Sequence, residues 1–158
     1  MTPQSLPEMA RPAPGLVQSL ARVAALRLRS DLAGHDMAGV RPIHAPLLVQ
    51  LLGGARRAAD LADTVGVSRQ AVAQVVANLE RDGYIERIAD PGDSRAKLVC
   101  LTPRGRAALR VMRTSAVALE DEWRARIGAD RLATLCDTVT DLLSPFESTR
   151  TRNPDVQT

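Results

Sequence analysis

The stretch that decides the fold is GVSRQAVAQVVANLERDGYIERIADPGDSRAKLVCLTP, residues 66–103. Ser68 offers an N-cap, and Gly83 suits the left-handed residue that closes a helix, so the spacing predicts a helix over 68–82. At about 100° per residue, Val72, Val75, Val76 and Leu79 fall on one face. Gln70, Gln74, Ala77 and Arg81 fall on the other, with Ser68 and Arg69 at the N-terminal end. YIERIA (84–89) and AKLVCL (96–101) are short and β-branched, and DPGD between them is turn chemistry, so a hairpin is expected. Thr102-Pro103 then reads as an N-cap followed by proline in the first turn of a new helix, where its missing N–H costs nothing.

Upstream, Ala62, Gly66 and Val72 lie four and six residues apart. A small residue lets two helices cross closely, glycine permits the sharp turn, and an apolar residue in the second helix locks the pair, which is the packing of a helix-turn-helix. The first of the two helices runs through RRAADLADTV and stops at Gly66. Before it, a short helix follows Pro42 through IHAPLLVQLL and ends at Gly53-Gly54. GLVQSLARVAALRLRSDLAG (15–34) carries Leu16, Leu20, Val23 and Ala24 at helical spacing, with Gly34 as its stop.

Downstream of Thr102, Leu109, Met112, Ala116, Leu119 and Trp123 alternate three and four residues apart, a heptad-like stripe long enough for a partner helix, with Leu119 on a dimer face. A last helix places Leu132, Leu135, Val139 and Leu142 on one stripe. Residues 1–14 hold four prolines and no periodicity, and 146–158 are polar and unpatterned, so both are expected to be disordered. The fold class is therefore mainly α with a small β-hairpin.

Composition narrows the function. The chain has 158 residues, long enough for one domain with a real core. No apolar run approaches the roughly 18–20 residues of a membrane span. The first residues lack the basic head and apolar stretch of a signal peptide, which points to the cytosol. Three aromatics (Tyr84, Trp123, Phe146) do not make a stacking platform for single strands. Net charge is only +3, but residues 41–113 hold twelve Arg/Lys against seven Asp/Glu, so the basic charge lies in the middle. All but one of the 21 basic residues are Arg, whose planar fork suits phosphates and base edges. GC-biased coding accounts for much of that preference, and for little of where the charge sits.

Two histidines, His35 and His44, with two cysteines, Cys100 and Cys136, give no metal-ligand spacing and no disulfide framework. No nucleophile–base arrangement, glycine-rich phosphate loop or carboxylate pair stands out, so an enzyme reading has nothing to rest on and no cofactor is expected. A helix entering the major groove does so with its N-terminal part against base edges. Gln pairs with adenine and Arg with guanine there. A hairpin after a helix-turn-helix makes a winged helix, and an Arg at the wing's tip suits the narrow minor groove. From spacing, Asp93 is positioned to pair with Arg95 and hold it extended.

The two segments GVSRQAVAQVVANLERDGYIER and DPGDSRAKLVCLTPRGRAAL resemble the MarR family of bacterial transcription regulators, the second holding the family's Asp-x-Arg wing followed by Leu-Thr and a Gly. The resemblance spans about residues 15–145, with a winged helix-turn-helix at about 42–102 and dimerisation helices at about 15–34 and 103–145. It implies a homodimer on a palindromic double-stranded operator, acting as a repressor released by a small-molecule effector held between dimerisation helices and winged domain. Carried over residue by residue, Ser68, Arg69, Gln70 and Gln74 become major-groove candidates. Arg95 becomes the minor-groove arginine, Asp93 its orienting partner and Lys97 a phosphate contact. The N-terminal part has no Cys, so the chain departs from the peroxide-sensing branch, and the family's variable ligand residues do not transfer. His44 is a candidate for the effector cleft or a pH-sensitive contact, against a surface or capping role. Two alternatives stay open: a thiol switch on Cys100 or Cys136, against both as packing residues, and a winged-helix interaction module without DNA binding.

Overall fold

The computed structural model describes residues 12–150. Its helices are α1 (Ala13–Gly34), α2 (Ala45–Gln50), α3 (Ala58–Val65), α4 (Arg69–Arg81), α5 (Pro103–Ile127) and α6 (Ala129–Arg150). Its strands are β1 (Arg56–Arg57), β2 (Ile85–Asp90) and β3 (Asp93–Leu101). The strands form an antiparallel sheet in the order β1-β3-β2, so the fold is mainly helical with a small winged sheet.

The local signals at the centre of the chain act as their chemistry requires. Ser68 accepts the Ala71 N–H at 3.1 Å and starts α4. Gly66, at φ 70°, closes α3 in the left-handed conformation that a side chain resists. Ala62 and Val72 are both about 1% exposed where α3 and α4 cross. Thr102 accepts the Gly105 N–H at 3.1 Å and donates its hydroxyl to the Gly83 carbonyl at 2.7 Å. One threonine thus caps α5 and ties it to the end of the α4 turn. The core gathers Leu32, Leu48, Leu51, Leu61, Val76, Leu79, Tyr84, Ile85 and Val99 beneath both motifs, so the hairpin is anchored on helices at its base.

Three expectations need correction. Arg56 and Arg57 do not begin a helix; they pair with Val99 and Leu98 as a third strand and cover the free edge of β3. The segment after Pro42 is a 3₁₀ turn (Pro42–His44) followed by only six α-helical residues, because Leu51 and Leu52 already bond back three residues in a tighter turn. Helix α1 ends at Gly34 as expected, closed by the turn at His35–Met37, with Asp36 at φ 57° and the Met37 N–H returning to the Leu32 carbonyl. Helix α6 continues to Arg150, so residues 146–150 are helical; 151–158, and 1–11 of the N-terminal arm, lie outside the described residues.

The apolar stripe of α5 also has a different partner from the one its spacing suggests. Met112 and Leu119 are buried within the single chain, and Leu109 packs on the core. Helices α1 and α6 cover part of that stripe, while Ala116 stays exposed and Trp123 borders a groove between the three helices. Exposed on those two helices are Leu16, Val17, Leu20, Val23, Leu26, Leu142 and Leu143, with Val17 and Leu20 bordering the groove toward α5. Among the described residues, no helix is long and apolar enough to cross a membrane.

Candidate nucleic-acid interface

Helix α4 is divided by burial as its periodicity requires. Val72, Val76 and Leu79 face the core, while Ser68, Arg69, Gln70, Gln74, Ala77 and Arg81 are exposed. Gln74 donates to the Asn78 side chain at 3.2 Å, one turn on, a bond weak enough to be exchanged for a base edge. Arg69 and Gln70 stand at the start of the helix, where the exposed N–H groups and the helix dipole favour a phosphate. Arg81 is paired with Asp82 at 3.1 Å, and Arg87 of β2 with Glu80 at 3.1 Å, so these two cations serve the protein's own surface.

The wing extends from the base of β2 and β3, with Asp93, Arg95 and Lys97 exposed on β3. Asp93 does not pair with the Arg95 guanidinium. Its carboxylate accepts the Arg95 main-chain N–H at 3.1 Å, an Asx turn that shapes the backbone and leaves the Arg95 side chain without an ion pair among the described residues. The other oxygen of Asp93 lies 3.8 Å from Arg57, which also holds Asp90 at 2.6 Å. Arg57 and Asp90 were not singled out from the sequence. Arg57 stands 33 residues from its partner, and only the sheet register brings the two together.

Cys100 is half-buried on β3, opposite Glu86 of β2. Its thiol lies 3.6 Å from the Glu86 carboxylate. Burial, and then the negative charge of Glu86, push the thiol pKa up and keep the sulfur protonated. Cys136 is exposed on α6 and borders an apolar groove of about 540 Å³ between α1, α5 and α6.

His44 is buried, and it caps rather than lines a cleft. Its Nδ1 accepts the Arg41 main-chain N–H at 3.2 Å, while Nε2 lies 3.4 Å from the Arg41 guanidinium. That cap needs a neutral ring. Burial, and then the Arg41 charge, lower the pKa below the ordinary 6.5. Because the unfolded chain takes up the proton first, this contribution is complete above pH 6.5 and declines as pH falls toward the folded-state pKa. Thermal unfolding between pH 7.5 and 5.5 is therefore expected to show a lower midpoint on the acid side. The decline should flatten in His44→Gln, which cannot take up a proton; an equal decline in both proteins would remove His44 as its source.

A separate cleft of about 610 Å³ lies between α1, α2 and α5. Leu28, Val49, Leu52 and Leu109 give it apolar walls, and Arg106, Arg110 and Arg113 bring three cations from one face of α5. Spacings of four and three residues place those arginines on successive turns. Among the described residues, no group of three or more His, Cys, Asp and Glu is arranged to hold a metal ion.

The sequence of residues 38–96 matches the model of the MarR family. No curated protein matches the chain. Among solved structures, FabT of Streptococcus pneumoniae in complex with DNA is similar at 20% identity and a TM-score of 0.71, over 85% of this chain and 94% of that one. PcaV of Streptomyces coelicolor, a transcriptional regulator in complex with its natural ligand, is similar at 20% identity and a TM-score of 0.67, over 89% and 97% of the two chains. A probable transcriptional regulator from Pseudomonas aeruginosa shares 28% identity at a TM-score of 0.60, over 80% and 96%. The chain thus matches the MarR family model over its winged segment, residues 38–96, and shares the fold of these solved structures over nearly all the described residues.

Proposed function

We propose that the protein is a homodimeric transcriptional repressor that binds a palindromic operator and is released by a small molecule. One observation carries the DNA-binding half: the exposed face of α4 holds Ser68, Arg69, Gln70 and Gln74, while its opposite face is locked into the core. A recognition helix needs such a division, since a rigid back fixes where the polar front meets the base edges. Gln70 and Gln74 read bases, Arg69 meets a phosphate or guanine, Arg95 enters the minor groove and Lys97 contacts phosphate. Asp93 acts on Arg95 through the backbone.

The dimer follows from the uncovered faces of α1 and α6. A row of exposed Leu and Val on two 22-residue helices is costly to leave in water, and a second copy offers the matching row. The α1/α2/α5 cleft receives the effector. Its apolar walls and three arginines suit a molecule with an apolar body and an anionic group. The raised thiol pKa of Cys100 argues against a thiol switch at that position.

A mobility-shift titration on the DNA upstream of the protein's own coding sequence tests the reading. Counterion release requires affinity to fall by about a thousandfold or more between 50 and 200 mM salt for a dimer with six or more phosphate contacts. Arg95→Ala is expected to weaken operators with A/T-rich minor grooves most, by about tenfold, on the scale of one good base contact. Gln70→Ala should instead relax preference at single half-site positions. An interaction module without DNA binding predicts no specific shift at any salt concentration.

A further inference from the structure

Arg57 sits at a position where its residue type makes little local sense. It immediately precedes α3, with the extended backbone of an N-cap (φ −70°, ψ 143°), yet it makes no side-chain cap. Ser, Thr, Asp or Asn would accept a free N–H of the first turn there; an arginine has no acceptor to offer. Its side chain instead crosses to the turn of the wing. Nε and Nη2 both donate to Oδ2 of Asp90, at 2.9 and 2.6 Å, and Nη2 lies 3.8 Å from Asp93.

Those carboxylates are partners across the hairpin: Asp90 pairs with Asp93 in register, just past an irregularity between Ala89 and Asp90. Two like charges facing each other across a hairpin turn repel, and a cation between them reverses the sign. Each aspartate also shapes the wing's main chain. Asp90 accepts the Gly92 N–H at 2.9 Å, and Asp93 accepts the Arg95 N–H at 3.1 Å. The side chain of Asp90 is only 12% exposed, so its position is well defined. Meanwhile the main chain of Arg57 is held in the sheet opposite Leu98. One residue therefore joins the start of the helix-turn-helix to both carboxylates that form the wing's turn.

We propose that Arg57 is the positioning residue of the wing, setting its pitch against the helix-turn-helix and, through Asp90 and Asp93, holding Arg95 where the minor groove lies. The inference rests on the reading of the wing as a minor-groove element. Arg57 does not itself contact DNA in this role, because its guanidinium is engaged by the carboxylates.

Arg57→Ser separates this role from a structural one, since serine restores a cap to α3 while removing the clamp. The thermal midpoint is expected to stay at or above that of the wild type. Amide exchange at Gly92 and Arg95 should speed up, with α4 unchanged. Affinity for an operator with A/T-rich flanks should fall about tenfold, the scale of coupling within one salt-bridge network, and affinity for the G/C-flanked version should barely change. In an Arg95→Ala background the same substitution should cost nothing further. Arg57→Lys, a point charge without the planar fork, should recover only part of the affinity. Unchanged exchange in the wing, or losses that add to those of Arg95→Ala on every sequence, would overturn the proposal. If Arg95→Ala lost the flank preference and Arg57→Ser kept it, the clamp would fail and the minor-groove reading would stand. If Arg95→Ala itself kept the preference, the minor-groove reading would fall, and the positioning role with it.

Discussion

Gly105→Ala is expected to destabilise the protein by about 3 kcal/mol or more, the upper range for overpacking a closed site. Gly105 lies in the first turn of α5 and is buried. A Cβ there would overlap the Tyr84 carbonyl oxygen and meet Cδ2 of Leu101 at 3.0 Å. The chief obstacle, the Tyr84 carbonyl, is backbone, so no rotamer change relieves it. The Tyr84 carbonyl is also held in place, because it accepts the Thr102 N–H at 3.2 Å while the Thr102 hydroxyl binds the Gly83 carbonyl. Moving α5 outward would break both bonds and tilt the wing strands against it. Gly15→Ala is the control: it lies in α1 with nothing within 4 Å of its Cβ, and should stabilise the helix by about 0.5–1 kcal/mol. Urea unfolding followed by far-UV circular dichroism checks both. A wild-type midpoint for Gly105→Ala would mean that α5 and β2 do not approach as closely as described.

The second large effect concerns assembly. Val23→Asp combined with Leu142→Asp is expected to turn a dimer into monomers and to abolish operator binding while leaving the protomer folded. Both side chains are well exposed in the single chain, at 57% and 63%, so their charges cost little within it. In a dimer that covers those faces, each apolar side chain contributes about 1.5–3 kcal/mol of burial, and each aspartate would need desolvation. The loss counts twice, since a two-fold interface repeats every substitution. DNA binding should fail with it, because two recognition helices must be held at a fixed half-site spacing. Sedimentation velocity gives the mass and circular dichroism the helix content. A wild-type dimer in the double variant would place the interface elsewhere. Leu119→Glu is a poor choice for this test, despite its place in the heptad-like row. At 8% exposure, Leu119 belongs to the protomer's own packing, and charging it would damage the fold before the interface.

How much of this was legible beforehand follows from how far apart the interacting groups lie. The division of α4 into a core face and a polar face was readable because it depends only on residues three and four apart. The caps at Ser68 and Thr102 were readable for the same reason, since each bond closes within three residues. The hairpin was recognisable from its turn chemistry, although β3 begins at Asp93 rather than at residue 96. The two-residue strand at Arg56–Arg57 carried no signal of its own. It exists because Val99 and Leu98 present an open edge. His44 was open between cleft and cap, and its burial beside Arg41 decides for the cap.

By itself, then, the sequence determined much of what is local in energy: the order of helices, the capped start of α4, the turn that makes the wing and the exposed Ser68, Arg69, Gln70 and Gln74. The tertiary structure alone decided two other features. It placed Arg57 between Asp90 and Asp93. It also buried Met112 and Leu119 of the α5 stripe inside the protomer and left apolar residues of α1 and α6 exposed. The physical reason is common to both. Periodicity states that a face will be buried, and charge states that a group will seek a partner. Which face or partner it finds depends on segments tens of residues away, brought near only when the chain closes on its core.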